Sequence, residues 1–129
     1  MKTTKFILFL ILMILITNIG CKDDNIDSGI KGYVEYGEVD CSLDQSFWTY
    51  HPYNGTVYVI SADSVGAATG NYIEAADSTQ ATDGEFVIGL TPGHYHVFIE
   101  EYQVFNSRNE VTVYLNQTAK PDYSFYSCR

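Results

Sequence analysis

From Ile30 onward the chain is a series of short runs in which apolar and polar residues trade places at every second position, separated by Gly, Pro, Asn and Asp. That period belongs to half-buried β-strands, and no stretch of this region carries the 3.6-residue period of an amphipathic helix. The pattern predicts strands over residues 30–36, 56–61, 71–75, 85–90, 94–102, 110–115 and 122–127. Seven short strands in about 100 residues predict an all-β, antiparallel sandwich of two sheets. Period 2 also assigns the faces. Val34, Val57, Val59, Phe86, Ile88, Leu90, Tyr95, Val97, Ile99, Val111, Val113 and Leu115 are expected inside, and Glu85, His94, His96, Thr112 and Tyr114 outside.

The first twenty residues follow another pattern: Lys2 and Lys5 precede an unbroken apolar run over 6–16. A charged start and a short apolar run are the layout of a signal peptide, and the run is short of the roughly 20 residues that a bilayer-spanning helix needs. The run ends in Thr17-Asn18-Ile19-Gly20-Cys21. This resembles the lipobox of bacterial lipoproteins, with Asn18 standing where that family prefers an aliphatic residue. The resemblance implies a signal peptide over 1–20 and diacylglycerol on the Cys21 thiol; an ordinary disulfide role for Cys21 is the alternative. Lys22, Asp23 and Asp24 are similar to the basic-then-acidic signal that sends Bacteroidetes-type lipoproteins to the cell surface. Residues 21–29 then read as a lipidated tether and 30–129 as one domain. The implied location is the outer membrane, held by acyl chains including palmitate and displayed at the surface.

Charge narrows the partners. With 16 acids against 7 bases the formal net charge is −9, and removal of Lys2 and Lys5 with the signal peptide takes it to −11. Such a chain offers no basic surface for phosphates, so nucleic acid is excluded as a partner, and the membrane is reached through lipid rather than through charge. Once Cys21 is lipidated, Cys41 and Cys128 remain as an even pair in a compartment that permits disulfides. A bridge between them is expected; two unpaired thiols are the alternative.

Two stretches carry a family resemblance. Thr82-Asp83-Gly84-Glu85-Phe86 followed by Leu90-Thr91-Pro92-Gly93-His94-Tyr95, with Ile30-Lys31-Gly32-Tyr33-Val34 before them and Val111-Thr112-Val113 after, resembles the carboxypeptidase regulatory-like domains. That resemblance implies a transthyretin-like (prealbumin-like), Ig-like Greek-key sandwich acting as an accessory or adhesive module without catalytic residues. Asp83-Gly84 is expected to form a tight turn, Pro92-Gly93 the next hairpin, and Tyr95 to pack across the core. The chain departs from the family in the long insertion over 37–54 and in the long region 62–81.

No Gly-x-Ser-x-Gly, His-Glu-x-x-His, Cys-x-x-Cys or phosphate-binding glycine loop is present, and adjacent acids such as Glu100-Glu101 face opposite sides of a strand instead of converging on one atom. The expectation is a non-enzyme without cofactor. His94 and His96 share one strand face at a spacing that zinc can use, but two ligands do not make a site, so they read as surface residues. The insertion holds Phe47, Trp48, Tyr50 and Tyr53, flat rings that either bind a glycan or an envelope protein or cap the open end of the sandwich. Function is therefore read as an accessory, binding or structural lipoprotein, the alternative being a component of a fimbrial or secretion-type assembly.

Overall fold

The computed structural model describes residues 26–66 and 71–129. The proposed signal peptide, Cys21 and the Lys22-Asp23-Asp24 signal lie outside the described residues. Among those described there are nine strands: β1 Gly29–Val39, β2 His51–Pro52, β3 Gly55–Ser61, β4 Asp77–Ala81, β5 Glu85–Gly89, β6 Gly93–Phe98, β7 Glu110–Val113, β8 Thr118–Ala119 and β9 Asp122–Cys128. Two single-turn helices, α1 Ala62–Val65 and α2 Tyr72–Ala75, follow β3. None of these helices is long and apolar enough to cross a membrane.

The strands form two facing sheets. In the first, β1 is central, with β5 and β2 antiparallel along one edge and β8 and β9 parallel along the other. The second is antiparallel throughout, in the order β4-β3-β6-β7. The all-β sandwich is thus present, with nine strands where seven were expected and a mixed first sheet. The parallel β1–β9 ladder, running from Tyr33↔Asp122 to Val39↔Cys128, is invisible to residue alternation, because a strand's period is the same whichever way its neighbour runs.

The core lies between the sheets. Ile30, Val34, Phe86, Ile88, Tyr123 and Phe125 from the first sheet meet Val57, Val59, Tyr95, Val97, Ile99, Val111 and Val113 from the second. Gly32 shares the inner face with them, and a Cβ there would lie 2.6 Å from the Phe86 ring, so only glycine admits that ring beneath β1. Asp83 (φ 50°) and Gly84 (φ 84°) both adopt the left-handed conformation. They close a two-residue turn in which Thr82 and Glu85 exchange both backbone hydrogen bonds at 3.0 Å. The turn carries the chain from the second sheet to the first, and Thr79 Oγ1 donates to the Val87 carbonyl (2.9 Å) to close that side of the sandwich.

Four expectations need correction. Residues 72–75 of the expected 71–75 strand form α2, because Asn71 caps the turn by accepting from Glu74 N–H (3.3 Å), while the strand lies later, at β4. Pro92-Gly93 joins strands in different sheets and is a crossover, not a hairpin; Tyr95 secures it by donating its hydroxyl to the Thr91 carbonyl (2.6 Å). Leu115 is 69% exposed, since β7 stops at Val113 and the chain turns through Asn116 (φ 56°). The outer face of the second sheet is not simply solvated. There Ile60 and Phe98 are buried, with Phe105 set edge-on to Phe98 (5.3 Å) and Tyr58 stacked on it (5.3 Å). Tyr72 of α2 packs on Phe105 (4.5 Å), so α2 helps build a second, smaller core.

Candidate ligand-binding end

The insertion between β1 and β3 is folded by its own side chains. Asp40 accepts from Ser42 N–H (2.9 Å) and Ser42 Oγ (2.6 Å), and Asp44 accepts from Ser46 N–H (2.9 Å) at the start of a single 3-10 turn, Gln45–Phe47. These hydrogen bonds favour the charged carboxylates: the Ser42 hydroxyl, ahead of its N–H, holds Asp40 below its ordinary range, and the Ser46 N–H does the same for Asp44. Trp48 Nε1 donates back to the Asp40 carbonyl (3.2 Å), completing a compact loop.

Three ties fix that loop to the sandwich. The Cys41–Cys128 disulfide joins it to the end of β9. The Trp48 ring packs on Tyr126 with centroids 4.7 Å apart. Gly37 of β1 lies under Thr49 and Tyr50, where a Cβ would stand 2.5 Å from the Thr49 carbonyl oxygen. Burial, with Tyr126, Glu35 and Tyr102 nearby, raises the Tyr50 hydroxyl above its ordinary value. Beyond the loop, β2 pairs with Glu35 and Tyr36 and delivers Tyr53 to the sandwich mouth.

At that mouth an open groove of about 470 Å³ runs between β1, β2 and the chain segment after β9. Tyr36 and Tyr53 wall it with rings 6.4 Å apart at 71°, and Glu38, His51, Asn54 and Arg129 also line it. Both hydroxyls are held: Tyr36 shares a 2.7 Å hydrogen bond with Ser127 Oγ, and Tyr53 donates to Glu101 Oε2 (3.3 Å). Burial and then the Glu101 charge push the Tyr53 hydroxyl up to about 12. Fixed aromatic walls with a carboxylate, an imidazole, an amide and a guanidinium at the rim can stack on a polar ring and hydrogen-bond its periphery.

The structure separates the four nominated aromatics. Phe47 is 74% exposed and leaves the groove, Trp48 and Tyr50 cover the outer face of the first sheet, and Tyr53 alone lines the groove. Tyr36, Glu38 and Arg129 join it from positions on β1 and after β9 that no spacing in the sequence connects; only the parallel β1–β9 pairing brings them together. His94 is exposed as expected, with Nδ1 2.9 Å from Thr112 Oγ1 and 4.0 Å from Glu110. His96 corrects its assignment to the open surface. Its ring is half-buried against Phe105 (5.7 Å), and its Nδ1 is buried without a partner. Among the described residues no three His, Cys, Asp or Glu side chains gather as metal ligands.

Comparison with protein-family models, with curated proteins and with solved structures returns no match to this chain.

Proposed function

We propose that this chain is a non-catalytic, lipid-anchored module of the bacterial outer surface, of carboxypeptidase regulatory-like, transthyretin-like Greek-key build, which binds a glycan at its disulfide-pinned end. The groove walled by Tyr36 and Tyr53 and rimmed by Glu38, His51, Asn54 and Arg129 is the observation that supports it. Its polar groups are of the kind that orient a sugar's hydroxyls, and its rings match a sugar's apolar face. The lipobox-like Gly20-Cys21 supports the anchor, and the Lys22-Asp23-Asp24 stretch supports display at the surface. The alternative reading, a component of a fimbrial or secretion-type assembly, draws support from β9, a strand at the margin of the first sheet that pairs with β1 alone among the described residues.

Two measurements separate the parts of this reading. Wild-type protein expressed in a Bacteroidetes-type host should incorporate an alkyne fatty acid and Cys21→Ala should not; equal labelling of the two removes the anchor. On a glycan array, Tyr53→Ala should lose the wild-type signal while Phe47→Ala keeps it. Signals lost through Phe47 and kept in Tyr53→Ala would move the site out of the groove.

A further inference from the structure

β9 forms the open margin of the first sheet. Tyr33 N–H donates to the Pro121 carbonyl (3.0 Å) and Arg129 N–H to the Val39 carbonyl (3.1 Å). Alternate residues of a strand present their backbone groups to opposite edges, so Tyr123, Phe125 and Ser127 face β1, whereas Asp122, Ser124 and Tyr126 face away from it. Among the described residues none of those three outward N–H groups has a hydrogen-bond partner. Natural sheets blunt such an edge with proline, lysine, a bulge or a short strand. β9 runs over Asp122–Cys128 with none of these, and Asp122 is its one charge.

The space beside this edge has two different sides. Toward the interior, a cleft of about 190 Å³ lies between β9 and the chain after β6; Tyr123 and Phe125 line it with Tyr102, whose ring packs on Phe125 (5.1 Å), and Asn106, Arg108 and Asn109 form its polar far side. Toward the exterior stand carboxylates: Asp122, and Glu35, which accepts from Ser124 Oγ (2.6 Å). An added strand would pack one set of alternating side chains against aromatic rings and the other set beside acids. A second copy of this chain is a poor occupant, because each carries a formal net charge of −9.

We propose that the free edge of β9 takes up an extended segment of a partner polypeptide in which apolar and basic residues alternate. Its backbone pairs with Asp122, Ser124 and Tyr126, its apolar side chains enter the cleft beside Tyr123 and Phe125, and its lysines or arginines lie beside Asp122 and Glu35. This site is separate from the groove, so a glycan result there neither supports nor removes it.

The test uses the purified full chain, a short peptide alternating valine with lysine, and its counterpart with glutamate for lysine. Amide exchange read by mass spectrometry should slow about tenfold or more at Asp122, Ser124 and Tyr126 with the lysine peptide, and stay unchanged with the glutamate one. Binding should weaken as salt rises. Ser124→Pro removes an outward N–H without touching the β1 ladder and should weaken binding by about tenfold or more, whereas Ser124→Ala should keep it. If the proline variant does not fold, the exchange comparison on wild-type protein decides alone. No protection, equal protection by both peptides, or protection that grows with protein concentration without peptide would each overturn the proposal, the last by assigning the edge to a second copy.

Discussion

Tyr53 shows how one side chain joins the insertion to the sandwich. Its ring meets Tyr36 edge-on, its hydroxyl reaches Glu101 (3.3 Å), and a Cβ on Gly55 would stand 2.7 Å from that hydroxyl, so glycine is what admits the ring there. Burial and the neighbouring carboxylate both oppose a phenolate, which raises the hydroxyl from 10.0 to about 12. A group whose pKa is raised on folding contributes stability that is complete below the unfolded value and is lost as pH climbs through the folded one. The domain should therefore lose stability between about pH 10 and pH 12. Tyr123, raised by burial alone, extends the loss further into alkali. Denaturant titrations across that range should show a shallower decline for Tyr53→Phe than for wild type; identical slopes would mean that Tyr53 is not the group that titrates. Asp40 works in the opposite sense, since a lowered carboxyl contributes above its ordinary pKa and ceases to as pH falls.

At the scale of the element, alternation made the inner faces of β3, β5, β6 and β7 legible, because one face of each packs on the core. It failed where a strand stops. Val113 is 1% exposed and Leu115, next in the same stripe, 69%, because the chain leaves the sheet between them. Ile88→Ala should accordingly cost about 2–5 kcal/mol, and Leu115→Ala should stay within about 0.5 kcal/mol. A large Leu115 effect in chemical denaturation would place that side chain back in the core. Alternation also failed on the outer face of the second sheet, where Ile60 and Phe98 are covered by Tyr58, Phe105 and the region around α2. Two polar-looking loops build that cover, and loop composition carries no sign of which sheet a loop will lie on. Phe98→Ala should cost about 3–5 kcal/mol, as an inner-core phenylalanine would. A loss under about 1 kcal/mol would mean that the outer cluster is loosely packed.

For the whole molecule, the decisive pairing is the parallel contact of β1 with β9, which closes the first sheet between the beginning and the end of the domain and sets Cys41 beside Cys128. The cysteine count made the bridge legible; the groove it borders was not, because its walls come from β1, β2 and the chain after β9. The sulfurs link residues 87 apart in sequence. In the chain-entropy account a loop of that length restricts the unfolded ensemble by about 4–5 kcal/mol, a large share of the roughly 5–15 kcal/mol that a domain has in total. The bridge also holds the 40–50 loop, with Trp48 and Tyr50, against Tyr126 and Gly37. Reduction should then act in two ways: the melting temperature falls, and the indole of Trp48, the chain's one tryptophan, becomes more accessible to an aqueous quencher while the protein is still folded. Cys41→Ser/Cys128→Ser protein should match the reduced wild type in both readouts. Lowered stability with unchanged Trp48 quenching would show that packing on Tyr126 holds the loop without the disulfide, and unchanged stability would remove the bridge from the domain's main supports.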